Sequence, residues 1–120
     1  MGKNIFVVED LPMMRDLLTT TLEGLGHTVV GFAENGKDDI ANYAKHNPDL
    51  MTLDISLPDM DGLFVLKELR LKHPQAKILI VTANDQKMLQ KQALLMGASG
   101  ILLKPFVVDD IKAALAQVFP

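Results

Sequence analysis

Five short apolar runs alternate with five longer segments of mixed polarity along the chain. The runs have the length of β-strands and are mostly continuous, as expected of strands that are covered on both faces. Strands are therefore predicted at residues 5–8, 27–33, 50–53, 78–81 and 101–103. This pattern indicates a sheet with helices on both sides.

The first three intervening segments carry apolar residues at helical spacing. The first begins at Pro12, a residue suited to a first helical turn, and ends near Gly24. The second is predicted at 36–46 and the third at 62–72, each followed by a proline. The residues predicted to face the core are Met14, Leu17, Leu18 and Leu22 in the first helix, Ile40 and Ala44 in the second, and Leu63, Leu66 and Leu69 in the third.

Two further helices complete the alternation. The fourth is predicted to follow Asn84–Asp85, which are suited to capping it, and to end before Gly97. The fifth is indicated by apolar residues one and two turns apart, at Ile111, Leu115 and Val118.

Strict alternation of strands and helices predicts a parallel sheet joined by right-handed crossovers. We expect one α/β domain over residues 1–120, with a doubly wound five-stranded parallel sheet in the flavodoxin-like order 2-1-3-4-5 and five helices. Such sheets hold ligands beyond the carboxyl ends of their strands, where the winding reverses.

Polar residues follow four of the predicted strands at that edge. Glu9 and Asp10 follow the first strand, Asp54 the third, Thr82 the fourth and Lys104 the fifth. Taken singly, the acids are more typical of loops and helix caps, the threonine of a strand and the lysine of a solvated surface. Because the first and third strands adjoin in the predicted order, we expect these side chains to converge into one site.

Composition and charge narrow the possible functions. The chain is 48% hydrophobic and has no cysteine, so its core forms without disulfides or thiolate metal sites. A net charge of −3, with no run of Lys or Arg, argues against direct nucleic-acid binding. Only four apolar residues precede the first acids, too few for a signal-peptide core or a membrane span, so we expect a cytoplasmic protein that is not membrane-associated.

Three clustered carboxylates need compensating positive charge. At roughly 4 Å, two like charges repel by on the order of 4 kcal/mol at an effective dielectric constant of 20. One lysine against three carboxylates leaves the group at −3 + 1 = −2, and Mg²⁺ would bring it near neutrality with the oxygen ligands it prefers. Such a site suits phosphoryl transfer, with Asp54 as nucleophile, Lys104 stabilising negative charge and Thr82 donating to the attached group.

The strand-end residues belong to a longer set of motifs that resembles bacterial two-component response-regulator receiver domains (CheY-like). The resemblance covers the whole chain, and the motifs agree with the family in spacing and in order. They are Val7-Val8-Glu9-Asp10, Leu53-Asp54, Leu57-Pro58-Asp59-Met60-Asp61-Gly62, Val81-Thr82-Ala83, Gly97-Ala98 and Lys104-Pro105-Phe106.

The resemblance implies a phosphoacceptor switch of two-component signalling, not a turnover enzyme. Asp54 would accept a phosphoryl group from the phosphohistidine of a sensor histidine kinase or phosphotransfer protein. Mg²⁺ would be bound by Asp10, Asp54 and the backbone carbonyl of Ser56, with Glu9 contributing mainly through water. The chain would assist its own phosphorylation and dephosphorylation.

The resemblance also implies how the signal spreads. Pro105 would follow a cis peptide bond that orients Lys104, and the phosphoryl group would draw Thr82 and its loop inward. The family commonly has an aromatic residue where this chain has Ile101, so we expect a switch that is weaker or differently routed. The output would be a protein-binding surface on the fourth helix, fifth strand and fifth helix.

Other implied features concern lifetime and partners. Ser56 and Asn84 would flank the approach of a hydrolytic water and tune the phosphoryl lifetime, while Asp59 and Asp61 would shape the turn after the acceptor. A downstream protein or effector domain would read the switch, and the chain would be a monomer or a weak phosphorylation-dependent dimer.

Three alternatives remain open at this point. A phosphatase of the haloacid dehalogenase type also forms an aspartyl-phosphate, but it needs an acid at the position that Ser56 occupies. A flavodoxin-like cofactor binder is disfavoured by the acidic loop after the first strand. A receiver-like module that is never phosphorylated would not need Asp10, Asp54, Thr82 and Lys104 together.

Overall fold

The structure, a computed structural model, describes residues 2–120; Met1, the first residue of the predicted domain, lies outside the described residues. Within residues 2–120, five strands alternate with five helices. The strands are β1 (Asn4–Val8), β2 (Thr28–Ala33), β3 (Leu50–Asp54), β4 (Ile78–Thr82) and β5 (Gly100–Leu103). The helices are α1 (Pro12–Gly24), α2 (Gly36–His46), α3 (Gly62–Lys72), α4 (Lys87–Leu95) and α5 (Val108–Val118).

The strands form one parallel sheet in the order β2-β1-β3-β4-β5, which confirms the predicted topology. Val8 at the end of β1 lies opposite Leu53 of β3, and Asp54 lies opposite Val81 of β4. β3 and β4 each extend one residue beyond the prediction, so Asp54 and Thr82 are the last residues of their strands. The carboxyl ends of these strands therefore meet at one edge.

Helices cover both faces of the sheet, because successive strand side chains point to opposite sides. On one face, Phe6 and Leu53 pack in a cluster with Leu66 of α3. On the other, Val7 packs in a cluster with Leu18 of α1. Two apolar faces explain why the strands are continuously hydrophobic in sequence.

Helical phase differs from the prediction at two positions. Ala44 was predicted to face the core, but it is exposed, and Asp39 and Tyr43 are buried on the inner face of α2. Leu17 was also predicted inward, yet it is 48% exposed, since α1 turns Leu18 toward the sheet instead. Tertiary packing, not the hydrophobicity of each residue, sets the rotation of both helices.

The start of α4 also differs from the prediction. Asn84–Asp85 do not cap the helix; α4 begins at Lys87, and Gln86 at its N-cap makes no side-chain capping bond. The Asn84 Oδ1 instead accepts the backbone N–H of Gln86 at 2.9 Å. This local turn satisfies the side chain before the helix begins.

Each helix within residues 2–120 is too short or too polar to cross a membrane.

Candidate functional site at the carboxyl edge of the sheet

Lys104 joins two of the predicted acids at the carboxyl edge. Its Nζ donates to Glu9 Oε1 at 2.7 Å and to Asp54 Oδ2 at 3.1 Å, although these partners lie 95 and 50 residues away in sequence. All three side chains are largely buried. The predicted convergence of strand ends is therefore present as a buried ion-pair cluster.

Asp10 brings a third carboxylate to this cluster. One carboxylate oxygen each from Glu9, Asp10 and Asp54 lies within 4.8 Å of the others. With Lys104 the group keeps a charge of −3 + 1 = −2. Oxygen donors and excess negative charge fit a hard divalent cation such as Mg²⁺, which needs only one or two protein carboxylates.

A cavity of about 280 Å³ opens beside the cluster. Its polar lining comes from Asp10, Asp54, Ser56 and Lys104, and three apolar side chains complete it. The space gives a small anion access to the Asp54 carboxylate and to the Lys104 ammonium at the same time.

Burial shifts the pKa values of Glu9 and Lys104 in opposite directions, because it disfavours the charged form of each side chain. Burial raises the pKa of the Glu9 carboxyl, and the charge of Asp54 adds to this, although the hydrogen bond from Lys104 lowers it. Burial alone would lower the pKa of the Lys104 ammonium, but the hydrogen bond to Glu9 and the nearby Asp54 raise it overall. Lys104 therefore stays charged near neutral pH.

Asp54 is held by a different donor at each oxygen. Its Oδ1 accepts the backbone N–H of Ser56 at 2.8 Å, while Oδ2 faces Lys104. The side chain is buried at the end of β3 yet lines the cavity. Donors on both oxygens fix the orientation of a carboxylate that is still reachable from solvent.

Thr82 lies at the end of the neighbouring strand β4 and is buried. Its hydroxyl oxygen accepts the backbone N–H of Asn84 at 3.0 Å, and Ala83 rather than Thr82 lines the cavity. The hydroxyl proton is not used by this bond, so Thr82 retains a donor for another group.

The remaining predicted positions lie around β5 and on the adjacent loops. The Lys104–Pro105 peptide bond is cis, as the resemblance implied. Ile101 is partly buried and packs against the cluster that includes Phe6. Ser56 and Asn84 are exposed on the loops after Asp54 and Thr82, and only Ser56 of these two lines the cavity.

One residue beside the site was not singled out from the sequence. Arg15 of α1 donates to the backbone carbonyl of Glu9 at 3.2 Å and pairs with Glu34 at 3.5 Å. It also lies over the Phe32 ring, 4.3 Å from the centroid. An arginine one helical turn after the acidic loop was the available signal, since that spacing places it back over the loop.

The turn after Asp54 contains two acids with different partners. Asp61 was expected to shape the turn, and its side chain caps α3 by accepting the N–H of Leu63 at 2.9 Å. Asp59 reaches a separate element, because its carboxylate accepts the N–H groups of Gly36 and Lys37 in α2. Sequence separation of more than 20 residues hid this contact.

Comparisons with known proteins agree on one family. The family model for the response regulator receiver domain matches residues 5–116. The chemotaxis protein CheY of Thermotoga maritima is 34% identical over 118 residues, 98% of each chain, and that of Bacillus subtilis is 36% identical over 115 residues, 96% of each chain.

Solved structures agree with this match. The crystal structure of the CheX–CheY–BeF3–Mg²⁺ complex from Borrelia burgdorferi has a TM-score of 0.94 at 27% identity, covering 98% of this chain and 89% of that chain. The isolated REC domain of RcsB from Salmonella enterica, in the presence of phosphomimetic BeF3⁻, has a TM-score of 0.89 at 26% identity, covering 97% and 87%.

Proposed function

As a member of the response regulator receiver domain family, this chain is a phosphoacceptor switch of two-component signalling, and we propose that Asp54 accepts the phosphoryl group. The observation that carries the assignment is the pair of hydrogen bonds that hold the Asp54 carboxylate at the wall of an open cavity. One comes from the Ser56 N–H and the other from the Lys104 ammonium. Glu9 is buried behind Lys104. Asp54 is therefore the acid best placed for attack.

The reaction is a displacement at phosphorus. An Asp54 oxygen forms a bond to phosphorus while the bond from phosphorus to the imidazole nitrogen of a histidine kinase or phosphotransfer protein breaks, and the imidazole leaves with those electrons. Lys104 places a fixed positive charge beside the oxygens that gain negative charge. Its raised pKa keeps that charge in place at neutral pH.

Asp10, Asp54 and the Ser56 carbonyl are the residues we assign to Mg²⁺. Glu9 has both oxygens engaged, with Oε1 accepting from Lys104 and Oε2 from the N–H of Leu11 at 3.3 Å. This favours an indirect, water-mediated role for Glu9. When bound, the ion supplies positive charge that balances the carboxylates and the incoming phosphoryl group.

The conformational change of the switch begins at Thr82. Its free hydroxyl proton can bond the phosphoryl oxygens, which would draw the loop after β4 toward Asp54. The output surface lies on α4, β5 and α5, where Met88 and Leu95 are 83% and 78% exposed. An exposed apolar surface beside the moving loop suits recognition by a downstream protein, and in the Borrelia structure the bound protein is CheX.

We assign control of the phosphoryl lifetime to Ser56 and Asn84, which are exposed on two loops. Ser56 lines the cavity two residues after Asp54, Asn84 is exposed two residues after Thr82, and neither side chain is a general base. The absence of an acid at position 56 also disfavours sustained phosphatase turnover. The chain assists its own phosphorylation and dephosphorylation without turning over an external substrate.

The assignment of Asp54 is tested by intact-mass spectrometry after incubation with acetyl phosphate and Mg²⁺. The wild-type chain should gain one phosphoryl adduct of about 80 Da, and Asp54→Asn should not. Asp85→Asn, in an exposed loop, is the matched control and should be labelled like the wild type. Undiminished labelling of Asp54→Asn would overturn the assignment.

A further inference from the structure

Asp59 connects the loop after β3 to the start of α2, a helix that packs against β1 and β2. Its Oδ1 accepts the N–H of Gly36 at 2.8 Å and its Oδ2 accepts that of Lys37 at 3.0 Å, the first two residues of α2. The N–H groups of a first helical turn lack partners within their helix, so a carboxylate there is favourable. These two bonds lower the pKa of the Asp59 carboxyl, which keeps it ionised at neutral pH.

Close packing reinforces this connection. A Cβ added at Gly36 would lie 2.5 Å from Met60 Cγ and 2.7 Å from Val65 Cγ2. The loop residue Met60 therefore occupies the space that a larger residue at the start of α2 would need. Hydrogen bonds and packing together fix the distance between this loop and α2.

The same loop is fixed to the sheet and α3 at its other points. Gly62 donates its N–H to the Ile55 carbonyl at 3.1 Å, and Ser56 pairs with Asp61 in an isolated bridge. Ser56 also donates its N–H to Asp54. Its backbone thus lies between the acceptor carboxylate and the segment that Asp59 holds.

We propose that Asp59 is a positioning residue for the metal, acting through the backbone of Ser56. This inference rests on the proposed function, because it takes the Ser56 carbonyl as a ligand. A backbone carbonyl cannot be reoriented by a change of rotamer, so its direction depends on the path of its loop. Asp59 fixes that path by binding α2.

The experiment compares Mg²⁺ dissociation constants of unphosphorylated variants by calorimetric titration. Asp59→Ala should weaken binding about tenfold, the lower end of the range for partners that orient metal ligands. Asn35→Ala is the matched control: it removes a side-chain bond to Asp38 N–H at the same end of α2, 2.8 Å long, without touching the loop. It should bind Mg²⁺ like the wild type.

Two further measurements separate positioning from simple loss of structure. Thermal unfolding of both variants shows whether they weaken the fold equally. Asp59→Asn keeps the side-chain shape and one acceptor, so it should bind with intermediate affinity, and it carries the test if Asp59→Ala is too unstable.

The outcomes distinguish this inference from the proposed function. If the wild type shows no saturable Mg²⁺ binding, the proposed metal site is wrong and the role of Asp59 falls with it. If the wild type binds Mg²⁺ and Asp59→Ala binds it with the same dissociation constant as Asn35→Ala, only the inference is overturned.

Discussion

At the scale of single residues, the site has less positive charge than its acids require. Lys104 contacts Glu9 and Asp54, and the Asp10 carboxylate approaches within 4.8 Å of both acids. Repulsion between like charges at this separation lowers the stability of the fold. We therefore expect the site to lower stability when no cation is bound.

Asp10→Asn should stabilise the protein in metal-free buffer. Removing one of three like charges should raise the free energy of unfolding by about 1–2 kcal/mol, less than the ~4 kcal/mol of an uncompensated pair because Lys104 already offsets part of it. Urea unfolding in EDTA measures the change. Asp16→Asn, an exposed acid on α1, is the control and should have little effect; a loss of stability in Asp10→Asn would contradict the prediction.

A second residue under electrostatic strain is Asp39, far from the candidate site in sequence. It is fully buried on α2, and among the described residues neither carboxylate oxygen has a hydrogen-bond partner. Burial raises its pKa to about 8. The folded protein therefore holds a proton there that the unfolded chain releases at acidic pH.

Stability should depend on pH because of Asp39. A raised folded-state pKa gives stability that is complete below about pH 4 and is lost as pH rises through about 8, with a slope of at most ~1.4 kcal/mol per pH unit. Asp39→Asn should remove this slope and be more stable than the wild type at pH 8. The measurement is urea unfolding from pH 5 to 8.

The exposed neighbour on the same helix provides the comparison for that experiment. Asp38→Asn changes the same type of side chain without touching a buried group, so it should keep the wild-type pH dependence. Parallel curves for the wild type and Asp39→Asn would show that Asp39 does not titrate as described.

At this scale the sequence predicted the convergence of the strand-end side chains but not the buried acid elsewhere in the fold. Glu9, Asp10, Asp54 and Lys104 could be placed together because each follows a strand, and parallel strands end at one edge. Asp39 could not be predicted, since a buried acid contradicts the ordinary preference of charged residues for the surface.

At the scale of elements, β5 carries a position at which this chain differs from the family's usual pattern. Ile101 takes the place of the family's common aromatic residue and already packs against the core cluster. An aliphatic side chain that is partly buried has no ring to move between exposed and buried positions. The loop from β4 to α4, which follows Thr82, is then the route that we expect to reach the proposed output surface.

Ile101→Tyr should enlarge the response of the output surface to phosphorylation. Chemical-shift changes across α4, β5 and α5 on phosphorylation should be larger and extend further in this variant than in the wild type, because a ring can change its burial. Leu103→Tyr, at an exposed position of the same strand, is the control. Closely similar shift changes in the wild type and Ile101→Tyr would contradict the routing proposed for this chain.

Local sequence patterns predicted the bounds of some helices better than those of others. Pro12 marks the start of α1, and Pro48 and Pro74 limit where α2 and α3 end, because proline constrains the backbone directly. Gly36 and Gly62 begin α2 and α3 at close contacts, where an added Cβ would meet Met60 and Ile55. The start of α4 was misplaced, since Asn84 uses its side chain in a turn that precedes the helix. Competing local bonds of this kind have no signature in hydrophobic spacing.

At the scale of the whole molecule, we expect metal binding and folding to be linked. Only the folded sheet brings Asp10, Asp54 and Ser56 together, so Mg²⁺ should bind the folded form and not the unfolded chain. A ligand of this kind stabilises by about 2.7 kcal/mol at a concentration 100 times its dissociation constant.

Thermal unfolding should therefore shift upward by several degrees as MgCl₂ is added. Asp10→Asn and Asp54→Asn should lose most of this shift, because each removes a proposed ligand. NaCl at matched ionic strength controls for general screening, which acts on all surface charges. An equal shift with both salts would remove the support for a specific metal site.

The assembly of the molecule stays a prediction. We expect a monomer, or a weak dimer that forms on phosphorylation, because the exposed apolar residues of α4 and β5 lie on the proposed output surface. Light scattering before and after treatment with acetyl phosphate distinguishes the two.

The distance in sequence between Glu9 and Lys104 has a consequence for biosynthesis. The ribosome synthesises the lysine 95 residues after the glutamate, and the two meet only once β5 has joined the sheet. A nascent chain therefore carries Glu9 and Asp54 before their counter-charge, and the phosphoryl transfer proposed for Asp54 would have to wait for the last strand of the sheet.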